Sequence, residues 1–357
     1  MSNIRYKLIP LEMLHVRVER ILFGTGQGVN EIHAIVHLDP DLPENEDPIA
    51  LLMEAKTVLE QFLGAKTLYG RLMLDKPRSW TASDQTISAI VQPPLDGTAA
   101  ALWLWMTQGK PNVAYRHTFT PGQSAPTTLP LLQQYREWLD SQHLCMAQHC
   151  LRTWFFVHDI DQNYHELVKT RREFFEHEGM TPDTHYIAST GINGSPLREG
   201  DIVQMETYTV QGLVPLQIRY LKGSSHLNPT AEYGVTFERG TRVEYGDRSH
   251  LIISGTASID NHGAILYPDD PEKQAHRMVE NVQVLLDEGG ASLRDLMHAI
   301  VYLRRPADYP VIRDVLAQLL PDLPVVLLHA PVCRPGWLVE MECMAAIPNN
   351  NTDFATF

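Results

Sequence analysis

One order of elements, helix then strand then helix then strand, recurs along the 357 residues. A chain made of such copies has few ways to bury its sheets, so the repeat constrains the fold more than any single motif does. The last third shows the pattern most plainly. HRMVENVQVLLDEGG puts Met278, Val282, Leu285 and Leu286 on one helical stripe, and LMHAIVYLRRP alternates as a strand. YPVIRDVLAQLL puts Ile312, Val315, Leu316 and Leu319 on a second stripe, and VVLLHAPVCRPGWLVEMECMA closes the unit as two strands or a bent one. In the middle third, LPLLQQYREWLDSQ, LRTWFFVHDI and YHELVKTRREFFEHEG repeat the order, and HYIASTGINGSPLREGDIVQMETYTV closes it. The first third is worn. PIALLMEAKTVLEQFLG, TLYGRLML and AIVQPPLDGTAAALWLWM remain, but too few residues separate Leu74 from Ile87 for the second helix.

A unit whose sheet is covered by helices on one face leaves the other face bare, and three units can bury those faces together. The expectation is an α+β fold of three repeats, sheets inside and helices outside, with a cleft at each junction. The expected divisions are 1–125, 126–235 and 236–357. Apolar residues make up 44% of the chain and charged residues 20%, the balance of a globular protein. A net charge of -14 disfavours nucleic acid as a partner. Four cysteines without a CxxC pair suggest a reducing compartment. The segment MSNIRYKLIP has no apolar core of the signal-peptide kind, and no window approaches 18 unbroken apolar residues. A cytoplasmic protein without a membrane span is therefore expected. HLCMAQHC fits no standard zinc spacing, so no metal is assigned, and FGTGQG reads as a turn because it lacks the βαβ context of a dinucleotide loop.

The copies can be compared with one another. Val339-Glu340-Met341-Glu342 is set against Val203-Gln204-Met205-Glu206 in the middle copy and Leu102-Trp103-Leu104-Trp105 in the first. Glu340 is then the one acid at its place among three related strands. Paired with Arg334 it reads either as a structural ion pair or as a catalytic acid. Glu342, which recurs as Glu206, reads as structural.

SGTASIDNHG, followed by ENVQVLLDEGGASLRDLMHAIVYL, resembles the core signature of the RidA (YjgF) family, whose trimers hold ligands between subunits. Val326 and Leu327 stand where RidA deaminases carry the arginine that grips a substrate carboxylate, which argues against imine deamination. LRTWFFV, ASTGIN, EYGVTFERGT, LIISGTASI, VYLRRPAD and LLHAPVCRPGWLVEMECM occur in the order seen in chorismatases. That resemblance, from about Leu151 to Ala346, implies a single-chain pseudo-trimer of three RidA-like repeats that removes pyruvate from chorismate without a cofactor. It implies Glu340 as the catalytic acid, Arg334 as the arginine of the same segment, and Cys333 at a position where cysteine accompanies 3-hydroxybenzoate formation and alanine accompanies hydrolysis. SSHLNPTAEYGVTFERG and Asn193 depart from the family pattern, and both departures are expected in the substrate cleft.

Cleaving an enol ether is easiest after its methylene is protonated, and a carboxylic acid held neutral by burial suits that step. Arginine forks suit carboxylates, so Arg334, Arg304, Arg172 and Arg239 are candidate substrate ligands. Backbone amides around Thr190 and Gly191 and the ring of Tyr233 complete the expected site. The expected partner is a small molecule with carboxylate groups, bound by a monomer because the fused copies already close their threefold. Two other readings stand beside this one: a RidA-like enzyme or ligand sensor for a different molecule, and a partner-binding pseudo-trimer with a vestigial site.

Overall fold

The computed structural model describes residues 3–43, 45–80 and 84–357, apart from the side chain of Tyr233. In the first copy β1 (Ile4–Leu11), β2 (Val16–Phe23) and β3 (Asn30–Leu38) lead into α1 (Pro48–Leu63), followed by β4 (Ala65–Leu74), β5 (Ile87–Val91) and β6 (Ala100–Gln108). The second copy runs β7 (Arg116–Ala125), α2 (Thr128–Ser141), the single turn α3 (Met146–His149), β8 (Cys150–Val157), α4 (Ile160–His177), β9 (Ala188–Asn193) and β10 (Val203–Gln211). The third has β11 (Ile218–Leu221), β12 (Gly240–Glu244), β13 (Arg248–Ala257), α5 (Pro271–Glu288), β14 (Leu296–Leu303), α6 (Tyr309–Leu319), β15 (Val325–His329) and β16 (Val339–Pro348).

The strand orders are β1-β2-β3-β6-β4-β5 and β11-β12-β13-β16-β14-β15, one topology used twice. The middle sheet, β7-β10-β8-β9, is the same order without its two outer strands. This is the expected α+β body of three repeats, and among the described residues the first copy has a single long helix, α1. Asp-Pro pairs start the corresponding helices of the outer copies. Asp47 accepts from the Ile49 amide at 2.9 Å and Asp270 from the Lys273 amide at 3.0 Å, with Pro48 and Pro271 preset for the first turn.

Strand pairing adjusts the comparison of copies. Val339, Val203 and Ala100 lie opposite Leu303, Val157 and Leu74, the last residues of their neighbouring strands. The place of Glu340 is therefore held by Gln204 and Ala101, and that of Glu342 by Glu206 and Trp103. The sequence comparison set β6 two residues out of step. A slip of two keeps every side chain on its face, and β6 is apolar almost throughout, so periodicity could not detect it. Glu340 remains the one acid at its place. Pairing also puts β7 in the second sheet and β11 in the third, ahead of the boundaries expected at 125/126 and 235/236. β7 is polar and carries Pro121 and Gly122, and β11 has four residues, so neither shows a strand pattern.

Helix-covered faces form separate cores under α1 and under α2 and α4. The inner faces of all three sheets share one core with the helix-covered face of the third. Buried charges join the copies there. Arg71 of β4 donates through Nε and Nη2 to Glu206 Oε2 at 2.9 and 2.7 Å and through Nη1 to Glu342 Oε1 at 3.3 Å. Arg152 of β8 donates to Glu342 Oε2 at 2.7 Å, and Trp154 Nε1 to Glu342 Oε1 at 3.0 Å. Arg71 →Met would leave two buried carboxylates without that partner. Urea denaturation at neutral pH is expected to show a loss of about 3–5 kcal/mol, and a loss near zero would mean these carboxylates are not charged.

Candidate active site

Glu340 stands on β16 where the second and third copies meet. It faces a pocket holding about 520 Å³ of atom-free space, part of it open to solvent. β9 supplies Ser189, Thr190 and Gly191, and α4 supplies Tyr164 and Arg171. The segment before β12 adds Val235, Phe237 and Arg239, β13 adds Gly255 and Ala257, and the β15–β16 connection adds Cys333, Arg334 and Trp337.

The chain holds these groups by local means. A Cβ on Gly255 would lie 2.3 Å from Glu340 Oε1, so any larger residue there would push the carboxyl from its place. Thr190 Oγ1 accepts from the Gly255 amide at 3.0 Å and from Arg152 Nη2 at 2.5 Å, tying β9 to β13 and to the ion network. Gln274 of α5 fixes the turn after Arg334, donating to the Gly336 carbonyl at 2.9 Å and accepting from the Leu338 amide at 2.9 Å. Trp337 Nε1 donates to the Ser258 carbonyl at 3.0 Å, and the Arg334 guanidinium lies 5.1 Å from the Trp337 ring centre. Arg239 donates to the Asn228 carbonyl and side chain at 3.0 and 3.1 Å, and Arg171 donates to Thr236 Oγ1 at 3.2 Å.

The electrostatics separate the two acids of β16. Burial pushes Glu340 up, the neighbouring Glu342 charge pushes it further, and Arg152 and Arg239 pull it back only partly, so its pKa rises to about 8. Glu342 is equally buried, but Arg152 and Arg71 outweigh desolvation and hold it below the ordinary carboxylate value. Glu340 is thus mainly a neutral acid at pH 7, and Glu342 is an anion. Burial, followed by the nearby Glu340, pushes the Cys333 thiol up to about 12 despite a hydrogen bond from Tyr164, so it is a thiol and not a thiolate.

Of the residues singled out from the sequence, Glu340, Arg334, Cys333, Thr190, Gly191 and Arg239 line this one pocket. Arg172 does not: it is exposed and donates to the Gly234 carbonyl, while its neighbour Arg171 is buried and lines the site. Helical phase could have chosen between them, since Arg171 lies four residues after the buried Leu167 and three before Phe174. Arg304 also lies outside. Its fork holds Asp161 at 2.8 and 3.0 Å, and it donates to the Val332 carbonyl, bracing α4 against the β15–β16 connection. Tyr233 ends a 3-10 turn, Thr230–Tyr233, and its side chain lies outside the described residues. Asn193 does not line the cleft; its side chain accepts from the Ile160 amide at 3.1 Å, at the start of α4. The altered segment 224–240 does reach the cleft, through Val235, Phe237 and Arg239.

The endoribonuclease L-PSP family (Ribonuc_L-PSP) matches residues 242–347. A 3-hydroxybenzoate synthase from Streptomyces hygroscopicus is 28% identical over 221 residues, which span 54% of this chain and 62% of that protein. The match therefore covers less than two thirds of the relative. A crystal structure of a chorismatase superposes with a TM-score of 0.63 at 21% identity, covering 78% of this chain and 92% of that one. RidA from an Antarctic Psychrobacter covers 36% of this chain and 99% of its own length, at 21% identity and a TM-score of 0.31. The fold is that of the chorismatases.

A carboxyl whose pKa is higher folded than unfolded favours the folded state below its unfolded value, near 4.5, and loses that contribution as pH rises through about 8. Glu340→Gln removes this loss. Its stability relative to wild type is expected to rise between about pH 5 and pH 8 by an amount on the order of a few kcal/mol, then level off. Thermal unfolding of both proteins across that range checks this, and parallel curves would mean the carboxyl is ionised throughout.

Proposed function

We propose that this chain, a relative of the chorismatases in fold and sequence, removes pyruvate from chorismate or a close enol-ether carboxylate, with Glu340 as general acid. The observation that carries the proposal is a carboxyl held neutral in a pocket that also presents Arg171, Arg239 and Arg334. A neutral acid beside guanidinium groups suits a dianionic substrate, because the arginines take the carboxylates while the proton stays available for carbon.

In this mechanism Glu340 delivers its proton to the terminal methylene of the enol ether. The adjoining carbon becomes an oxocarbenium centre; the neighbouring ring hydroxyl displaces the ether oxygen from its ring carbon and gives its proton to the Glu340 carboxylate, and the three-carbon fragment leaves as pyruvate. The resulting ring epoxide opens and the former ether carbon loses its proton to the freed oxygen, which leaves an aromatic ring with the hydroxyl on that carbon. Chorismate equals pyruvate plus 3-hydroxybenzoate with no water consumed, whereas hydrolysis to a dihydroxy-cyclohexadiene acid consumes a water. Cys333 enters as a compact neutral thiol in the wall, where its size and weak polarity bias the ring's fate, and not as a nucleophile. The similarity to a 3-hydroxybenzoate synthase supports the aromatic product. Arg152 acts at one remove, holding Thr190 and Glu342 and through them the shape and charge around Glu340.

A second reading, a RidA-like enzyme or binding protein for another carboxylate, draws on the segment 224–240, whose departure from the family pattern forms one wall of the pocket. No helix among the described residues is long and apolar enough to cross a membrane. The four free cysteines accord with a cytoplasmic location, and a fused threefold accords with a monomer.

Incubation of the pure protein with chorismate is expected to release pyruvate, and absence of pyruvate overturns the proposal. Glu340→Gln is expected to lower kcat by about 10²–10⁴, and wild-type kcat is expected to fall as pH rises through about 8. Turnover retained in Glu340→Gln would keep the reaction and remove the mechanism. Cys333→Ala is expected to shift product from 3-hydroxybenzoate toward the dihydroxy acid, read by chromatography of the ring products.

A further inference from the structure

Three copies make three junctions, and strand pairing identifies their corresponding positions. His37 lies opposite Ala101, as Ala257 lies opposite Glu340, so His37 holds the place of Ala257. Val325 and Leu327 hold the places of Ser189 and Gly191. The isolated bridges Pro94–Leu328 and Ile192–Val332 are counterparts, which sets Asp96 where the active pocket has Arg334. All four of these residues line a second pocket, between the third and first copies, holding about 990 Å³ of atom-free space. The junction of the first and second copies is instead packed by Gln204, whose Nε2 donates to Ser88 Oγ at 3.3 Å and to the Ala89 carbonyl at 3.1 Å.

The second pocket is a built site with different chemistry. Ala101 replaces the acid, so it does not repeat the reaction. His37 is 4% exposed, with Nδ1 at 3.3 Å from Asp96 Oδ2, and its buried Nε2 has no hydrogen-bond partner among the described residues. Thr98 donates to Asp96 Oδ1 through its amide and hydroxyl at 3.1 and 2.6 Å, so the carboxylate is fixed. Arg17 and Arg313 line the same space, as do Glu19 and Asp322. Arg17 pairs only loosely with Glu19, at 3.8 Å, and Arg313 lies 5.6 Å from the Tyr309 ring centre while its Nε and Nη2 hold Asp314. The wall is apolar, with Leu316, Leu320, Leu323 and Leu327.

We propose that this pocket binds a zwitterionic α-amino acid with an apolar or aromatic side chain. Guanidinium groups on β2 and α6 meet its carboxylate, the carboxylates of Glu19, Asp96 and Asp322 meet its ammonium, and the leucine wall takes its side chain. A simple carboxylate would face three acids against two arginines, and a simple amine would face the arginines; a zwitterion satisfies both sets without net charge. The proposal stands apart from the reaction assigned to Glu340.

Isothermal titration of the full chain with L-phenylalanine and L-leucine, beside 3-phenylpropionate and phenethylamine, tests it. The amino acids are expected to bind saturably, with each half-ligand weaker by roughly tenfold or more. Arg17→Ala and Arg313→Ala, both at partly exposed positions, are expected to weaken binding by a similar factor, while Glu340→Gln leaves it unchanged. No saturable heat with either amino acid at about 10 mM overturns the proposal. So does equal binding of 3-phenylpropionate, or binding lost in Glu340→Gln and retained in both arginine variants.

Discussion

Charge balance where the three sheets meet governs the rest of the molecule. Arg71 comes from the first copy, Arg152 and Glu206 from the second, and Glu342 from the third, and all four are buried. Two guanidinium groups are matched by two carboxylates in direct contact. Glu340, two residues from Glu342 on the same face of β16, adds a third carboxyl beside this balanced set, where burial disfavours its charge and Arg152 and Arg239 offset that only in part. Ionising it would put a second negative charge beside Glu342 in a dry setting, so it keeps its proton. The network that holds the copies together thus also prepares the acid.

The junctions show how one geometry was used three ways. Gln204 fills the first, Glu340 faces the pocket of the second, and at the third, where Ala101 holds that place, the His37–Asp96 pair lines the pocket. The core strands of each copy pair in the same order, and the same bridge recurs after β5 and β15. Chemistry at each junction is decided by a few side chains on a conserved scaffold of pairing, as expected when function is carried by sites and not by the fold.

Much of this was legible in the sequence because helical stripes and strand alternation report burial directly. The stripe Met278–Val282–Leu285–Leu286 is buried in full, and the acid of the third copy was visible without coordinates. What escaped was what periodicity cannot carry. β7 and β11 lack an apolar pattern, a two-residue slip along β6 preserves its faces, and Arg304 and Arg172 differ from true pocket arginines only in direction. Arg171 was within reach through helical phase. Arg71 was not, since its partners Glu206 and Glu342 lie 135 and 271 residues away in the chain.

The central claim is a protonation state, and infrared spectroscopy reads it most directly. A difference spectrum between wild type and Glu340→Gln, with isotope-labelled glutamate to assign the band, is predicted to show a protonated carboxyl stretch at neutral pH that fades with a midpoint of about 8. A carboxylate signal already complete at about pH 6 would show that the acid has no proton to give at neutral pH, and would contradict the account.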